Sequence, residues 1–132
     1  MYMLDTDICI YTIKQKPRKV LERLTATVAR NVCMSAITYA ELMNGALKSR
    51  EVEGNLKKLH RLSEVLDVVP FDATAAESYG RVRCSLEQRG QPIGSLDMLI
   101  ADHALAIEAI LVTNNEREFR RVDGLNIENR AV

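Results

Sequence analysis

The stretch Met1-Tyr2-Met3-Leu4-Asp5 at the start of the chain indicates the fold class. Four largely apolar residues in a row are typical of a short strand that is buried on both faces, as in parallel sheets. A carboxylate follows at once, so Asp5 is expected at the carboxyl end of this strand. In open α/β sheets, that end is where ligands bind. The stretch therefore predicts both a parallel sheet and a functional edge.

Short apolar runs alternate with longer amphipathic segments along the rest of the chain, a pattern that indicates βα units. The strand candidates are Met1 to Leu4, Val32 to Met34, Val65 to Val69, Ala109 to Val112 and, more weakly, Leu125 to Ile127. Apolar residues recur at helical spacing at Val20, Leu21 and Leu24, at Tyr39, Leu42, Met43 and Ala46, and at Leu56, Leu59, Leu62 and Leu66. We therefore predict an α/β fold with a central, mainly parallel β-sheet flanked by α-helices.

The size and composition of the chain favour one ordinary globular domain spanning residues 1–132. At 47% hydrophobic and 27% charged residues, the chain can form a core and does not have a disordered composition. No apolar run approaches the roughly 18 residues of a membrane helix, and the start of the chain lacks the shape of a signal peptide, so we expect a cytoplasmic protein without membrane contact. Cys9, Cys33 and Cys84 are odd in number and far apart, which predicts small core residues instead of disulfides.

Charge alone gives no argument for a nucleic-acid partner, because the formal net charge is zero. Basic residues do cluster at Lys14, Lys16, Arg18 and Lys19 and again at Arg117, Arg120 and Arg121. Taken by itself, each cluster is more typical of solvated surface than of a binding site.

Three acidic residues stand where separate elements would bring them together. Besides Asp5, Glu41 lies at the edge of the apolar face of its predicted helix, and Asp97 lies in the first turn of another. That second helix follows a Gly- and Pro-rich loop over residues 89–95, with Ser95 placed to cap it. The polar segment 113–118 follows the strand candidate that ends at Val112. Oxygen ligands without His or Cys favour Mg²⁺ or Mn²⁺, and such a cation suits phosphodiester hydrolysis.

Neither histidine has a partner at the sequence spacing of a metal site. His60 and His103 are therefore predicted to be surface or helix-packing residues, and no Ser/His or Cys/His nucleophile is indicated.

At four places the chain resembles the PIN-domain ribonucleases, and in particular the VapC toxins of bacterial toxin–antitoxin pairs. The similar stretches, in order, are Met3-Leu4-Asp5-Thr6-Asp7, Ser35-Ala36-Ile37-Thr38-Tyr39-Ala40-Glu41-Leu42, Pro92 to Asp97 with Ile100-Ala101-Asp102-His103-Ala104, and Leu111-Val112-Thr113-Asn114-Asn115 through Glu118-Phe119. The resemblance implies a PIN fold and a Mg²⁺-dependent endoribonuclease, with Mn²⁺ as the alternative cation. It also implies a homodimer that is held inactive by a VapB-like antitoxin.

The resemblance also assigns roles to residues. Asp5, Glu41 and Asp97 match the three core acidic positions and would bind the metal. Many relatives carry Asp at the fourth position, where this chain has Asn115, so Glu118 could supply the charge instead. Three further polar residues would support these. Thr6 and Thr113 would orient ligands or water. Asp7, where relatives more often carry Asn, would tune metal affinity or cap the first helix.

The resemblance further suggests a substrate, because close relatives are associated with cleavage of initiator tRNA in the anticodon stem-loop. The cluster Lys14, Lys16, Arg18 and Lys19 then becomes a candidate contact to the phosphate backbone.

Two alternatives remain at this stage. The missing fourth Asp is compatible with a catalytically inactive PIN-like module that binds RNA or antitoxin. Asp5-Thr6-Asp7 also resembles the opening motif of haloacid dehalogenase-type phosphatases, in which the first Asp is a nucleophile, although that interpretation leaves Glu41 without a role.

Overall fold

The computed structural model describes residues 1–14 and 31–129 of the chain. In chain order its strands are β1 (Tyr2–Leu4), β2 (Val32–Ser35), β3 (Asp67–Val69), β4 (Ile110–Val112) and β5 (Ile127–Glu128). Its helices are α1 (Thr6–Lys14), α2 (Ala36–Lys48), α3 (Val52–Val65), α4 (Ala73–Gln88), α5 (Ser95–Ala106) and α6 (Glu116–Phe119). The predicted alternation of strands and helices is confirmed.

All five strands form one sheet in the order β3-β2-β1-β4-β5, and every neighbouring pair is parallel. Tyr2 in the central strand pairs with Val32 on one side and with Ile110 on the other. The chain moves outward from β1 to β3 and then returns to place β4 on the opposite side of β1. The direction of winding therefore changes between β1 and β4, which opens a crevice at their carboxyl ends.

Alternate residues of the strands face two separate hydrophobic clusters, one on each side of the sheet. Leu4 and Val112 pack with α1, α2 and α3, whereas Met3 and Leu111 pack with α4, α5 and α6. Because both faces are covered, the central strands need continuous apolar runs, as residues 1–4 showed. These two layers fix the strand ends that carry the site.

Two strand predictions were partly wrong, and one long helix was not predicted. The weak strand candidate at Leu125 to Ile127 overlaps β5 only at Ile127. The run Val65 to Val69 divides, because Val65 ends α3, Leu66 is its buried C-cap residue, and only Asp67–Val69 is extended. The helical spacing of the α3 leucines continues to Leu66 and outweighs the strand tendency of the valines. Helix α4 was missed although Asp72 caps it, with Oδ1 accepting a hydrogen bond from the Ala75 amide at 3.0 Å.

Two smaller predictions also need correction. Gly94, and not Ser95, is the N-cap residue of α5, and no side chain caps that helix end. Cys9 and Cys33 are buried as predicted, but Cys84 is exposed on α4. The predicted helical stripe at Val20, Leu21 and Leu24 lies outside the described residues. Within the described ranges, no helix has the length and apolarity to cross a membrane.

Candidate active site

Asp5 lies at the carboxyl end of β1 and is almost completely buried, with 3% of its surface exposed. Its Oδ1 accepts a hydrogen bond from the Ile8 amide at 2.8 Å, so the carboxylate caps helix α1. Its Oδ2 accepts a hydrogen bond from the hydroxyl of Thr113, which follows β4. Burial raises the pKa of Asp5, while these two hydrogen bonds act in the opposite direction. The carboxylate is thus fixed between the two strands that border the crevice.

A chain of hydrogen bonds runs from Thr113 to Glu118. The Thr113 hydroxyl oxygen accepts a hydrogen bond from the Asn115 amide at 2.9 Å, and Asn115 Nδ2 donates to Glu118 Oε2 at 2.8 Å. Glu118 Oε1 accepts a further hydrogen bond from the Gly94 amide at 2.8 Å. Asn115 therefore orients Glu118, and the carboxylate at this end of the site belongs to Glu118.

Asp97 and Glu118 form a close pair of carboxyl groups beside Gly94. A Cβ atom placed on Gly94 would lie 3.7 Å from Asp97 Oδ2 and 3.8 Å from Glu118 Oε1. Burial, followed by the charge of Glu118 and a hydrogen bond to it, raises the pKa of Asp97 to about 6. The hydrogen bond from the Gly94 amide contributes most to lowering the pKa of Glu118. The proton that this pair takes up therefore resides on Asp97.

Negative charge is concentrated around this pair, because Asp5 and Asp7 both add to the raised pKa of Asp97. A divalent cation would relieve this repulsion, and the donors are the carboxylate oxygens that Mg²⁺ and Mn²⁺ prefer. In the described part of the chain, however, no three His, Cys, Asp or Glu side chains form a group that could hold a metal ion. The residues fit such a cation in their chemistry, and the metal-ligand assignment stays a prediction.

Glu41 is half-buried on α2 and makes no hydrogen bond or ion pair with the other acidic residues of the described site. Thr38 lies about one turn before Glu41 on the same helix. The Thr38 hydroxyl oxygen lies 3.1 Å from the hydroxyl oxygen of Thr6, at the start of α1. The predicted polar residue Thr6 thus joins α1 to α2. The structure brings Asp97 next to Glu118 and near enough to Asp5 for their charges to interact, but it shows no contact of Glu41 with these residues.

The predicted basic contact to RNA is described only at its first residue. Lys14 is exposed at the end of α1, whereas Lys16, Arg18 and Lys19 lie outside the described residues. Their assignment to RNA binding stays a prediction.

Both histidines behave as predicted. His60 is exposed on α3, and His103 is buried in α5 with its Nδ1 2.8 Å from the Ser35 hydroxyl oxygen. The Phe71 ring meets the His103 ring edge-on, with centroids 5.2 Å apart. Burial lowers the pKa of His103, which suits a packing role for a neutral ring.

Sequence analysis missed three features of the site and its surroundings. Gly94 is a backbone donor to Glu118, a role that no side-chain pattern reveals. Arg121 was assigned to the solvated surface, but its side chain is half-buried and bonded to the Pro92 carbonyl. Asp102 is fully buried, neither carboxylate oxygen has a partner among the described residues, and burial raises its pKa to about 7.

Comparison with known proteins agrees with this geometry. A model of the PIN domain matches residues 2–125. The chain belongs to the PIN-domain family. Among its PIN relatives, the tRNA(fMet)-specific endonuclease VapC of Shigella flexneri is 45% identical over 127 residues, which cover 96% of both chains. Ribonuclease VapC2 of Rickettsia felis is 42% identical over 130 residues, which cover 98% of this chain and 97% of the relative.

Solved structures of PIN proteins share the fold over nearly the whole chain. VapBC2 from Rickettsia felis, bound to a promoter DNA fragment, aligns with a TM-score of 0.91 and 42% identity over 98% of both chains. DNA-bound VapBC from Salmonella typhimurium aligns with a TM-score of 0.90 and 41% identity over 97% of this chain and 96% of that chain. The predicted resemblance to VapC-type PIN proteins is confirmed, and the haloacid dehalogenase interpretation is wrong.

Proposed function

We propose that the chain is a metal-dependent endoribonuclease and the toxin of a type II toxin–antitoxin system. The observation that carries the proposal is the convergence of Asp5, Asp97 and Glu118 at the crevice of a PIN fold. Ribonuclease or endonuclease names among relatives at 42–45% identity support the same activity. Because Glu118 supplies a carboxylate where Asn115 does not, the inactive-module alternative loses its main support.

The side chains of the site are held in place before any substrate arrives. Asp5 receives hydrogen bonds from Ile8 and Thr113, and Glu118 receives them from Gly94 and Asn115. Asp5, Glu41 and Asp97 are the proposed ligands of Mg²⁺ or Mn²⁺, which would supply Lewis-acid stabilisation of the phosphate and activation of water. Because these carboxylates are already held by hydrogen bonds, they would hold the cation without reorganising as negative charge develops on the phosphate.

The proposed substrate is initiator tRNA, cut in its anticodon stem-loop. The name of the Shigella flexneri relative, a tRNA(fMet)-specific endonuclease, supports this choice at 45% identity. Lys14, Lys16, Arg18 and Lys19 are the proposed contacts to the RNA backbone, because a cluster of cations attracts the phosphate groups of RNA.

The proposed protein partners are a VapB-like antitoxin and a second copy of the chain. The structural neighbours from Rickettsia felis and Salmonella typhimurium are VapBC proteins of toxin–antitoxin type, which supports an antitoxin.

A cleavage assay tests the activity and the substrate together. Purified protein is incubated with initiator tRNA, with a pool of elongator tRNAs and with mRNA, each in the presence of Mg²⁺, Mn²⁺ or chelator. Asp97→Asn is the inactive control, and Asp67→Asn, at an exposed position on β3, is the matched control for the same chemical change. We expect metal-dependent cuts in initiator tRNA from the parent and from Asp67→Asn only. Absence of cleavage by the parent with either metal would contradict the proposal.

A further inference from the structure

The loop between α4 and α5 carries one of the donors to Glu118, and it is tied to the segment that follows α6. Arg121 Nη1 donates a hydrogen bond to the Pro92 carbonyl at 2.9 Å, and Arg89 Nη2 donates to the Arg121 carbonyl at 2.8 Å. Arg121 thus donates one hydrogen bond to the loop through its side chain and accepts another from Arg89 through its backbone carbonyl. Together they fix the loop on both sides of Gly90, whose φ of 66° lets the chain turn out of α4.

The tied loop leads directly to the acidic pair. Two residues beyond Pro92, the Gly94 amide donates to Glu118 Oε1 at 2.8 Å. Glu118 and Arg121 also share a backbone hydrogen bond, from the Arg121 amide to the Glu118 carbonyl at 3.2 Å. The Arg121 charge adds to the Gly94 and Asn115 hydrogen bonds that favour the ionised form of Glu118. One guanidinium thus acts on both partners of the Gly94–Glu118 hydrogen bond.

We propose that Arg121 is a positioning residue of the active site, which holds the loop at Pro92 so that the Gly94 amide stays bonded to the Glu118 carboxylate. The inference rests on the proposed endoribonuclease function and adds to it a residue that does not touch the RNA. Loss of the Arg121 side chain would release the loop at Pro92, whereas the bond from Arg89 to the backbone carbonyl of residue 121 would remain. The released segment, residues 92–94, would free Glu118 Oε1 and change the arrangement of Asp97 and Glu118. Partners of this kind typically contribute about 10- to 100-fold to activity or metal affinity.

The preceding residue provides a matched control, because two arginines in succession have different contacts. The Arg120 side chain is 70% exposed, and its contact is a 3.5 Å ion pair with Glu116 in the same helical segment. Such a pair contributes little to stability. Arg120→Ala therefore removes the same charge and side-chain volume as Arg121→Ala, at the adjacent position, and leaves the bond between Arg121 and Pro92 intact.

The test compares Arg121→Ala, Arg121→Lys and Arg120→Ala by cleavage kinetics at saturating Mg²⁺ and by thermal unfolding. We expect kcat of Arg121→Ala to fall about 10- to 100-fold with KM for RNA within about twofold of the parent. Arg121→Lys retains a charge and one donor for the Pro92 carbonyl, and it should recover kcat to within a few-fold. Arg120→Ala should match the parent. In a Glu118→Gln background, Arg121→Ala should cause no further loss.

A second measurement is independent of cleavage. Amide hydrogen exchange at Gly94, followed by NMR, should accelerate roughly tenfold in Arg121→Ala and stay unchanged in Arg120→Ala. Unchanged exchange at Gly94, or a loss confined to KM, would overturn the positioning role, and the latter would make Arg121 an RNA contact. If the parent cleaves no RNA, the proposed function fails, and the Gly94 exchange still decides whether Arg121 holds the loop.

Discussion

The hydroxyl of Thr113 donates a hydrogen bond to the Asp5 carboxylate across 108 positions of sequence. It joins the carboxyl ends of β1 and β4, the two strands between which the winding of the sheet changes direction. The same oxygen accepts the Asn115 amide, so Thr113 links the buried end of the site to the segment that carries Glu118. One hydroxyl group therefore contacts both halves of the candidate site.

Replacing Thr113 with Val keeps its shape and removes this hydroxyl. The buried Asp5 carboxylate and the Asn115 amide would each lose a partner, so we expect the free energy of unfolding to fall by about 1–3 kcal/mol. We also expect RNA cleavage to fall more than tenfold. Thr113→Ser keeps the hydroxyl and should retain most of the activity. Equal cleavage rates for the Val and Ser variants would contradict this role.

Asp5 contributes a charge to the candidate site and caps helix α1, and two substitutions separate these contributions. Asp5→Asn and Asp5→Ala both remove the charge, and both should abolish cleavage. Asp5→Asn keeps a side-chain oxygen for the Ile8 amide, whereas Asp5→Ala also loses the cap of α1, which costs about 1 kcal/mol. Urea unfolding of both variants measures this difference. A fully active Asp5→Asn protein would show that the carboxylate charge is not required.

Glu118, and not Asn115, should supply the fourth acidic group. We expect Glu118→Gln to reduce cleavage by at least tenfold, because it removes the charge beside Asp97. Asn115→Ala removes only the donor that orients Glu118, so its loss should be smaller. The rates are compared at saturating Mg²⁺. A larger loss in Asn115→Ala than in Glu118→Gln would reverse the assignment.

Metal binding should compete with the proton on Asp97. The pKa of Asp97 is raised to about 6, so below that pH the carboxyl is neutral and must lose its proton to bind a cation. We expect the Kd for Mn²⁺, measured by calorimetry, to be nearly constant above about pH 7. Below about pH 6 it should rise as much as tenfold per pH unit. Asp97→Asn should bind weakly at every pH, and a flat profile in the parent would contradict the prediction.

Asp102 should make the fold less stable as the pH rises. Its ordinary pKa of 3.8 applies to the unfolded chain, whereas burial raises the pKa to about 7 in the folded protein. The unfolded chain therefore releases this proton first, so the stability contributed by Asp102 falls between these two values and stays low above them. Asn cannot ionise. The free energy of unfolding of Asp102→Asn, relative to that of the parent, should therefore rise by about 2–3 kcal/mol from about pH 5 to about pH 8.

Urea unfolding at these two pH values tests the Asp102 prediction. Asp67→Asn, on the exposed side of β3, is the control for the same chemical change. An advantage of Asp102→Asn that does not depend on pH would show that ionisation of Asp102 is not its cause.

Sequence predicted the sheet well because the central strands are buried on both faces. That environment requires unbroken apolar runs such as residues 1–4, and it places polar residues such as Asp5 and Thr113 at the strand ends. Helix α4 escaped prediction because much of it is exposed, with Ala75 and Leu86 its buried residues. Its apolar stripe is correspondingly thin.

The acidic site was predictable in its residues but not in its contacts. Asp5, Asp97 and Glu118 are side chains whose chemistry shows in the sequence, and parallel topology brings their elements together. The Gly94 amide and the Pro92 carbonyl are backbone groups. Every residue has a backbone carbonyl, and every residue except proline has a backbone N–H, so the residue type gives no sign of either role. Their roles depend on loop geometry, and this geometry depends on Arg121, whose partner lies 29 positions away.

The pairing of β1 with β4 also sets the order in which the candidate site can assemble during synthesis. Thr113 is made 108 residues after Asp5, and Glu118 is made later still. A nascent chain therefore lacks the complete set of acidic groups until β4 and the segment after it have been made and have packed beside β1. For the proposed nuclease, the order of the strands alone delays cleavage until that point.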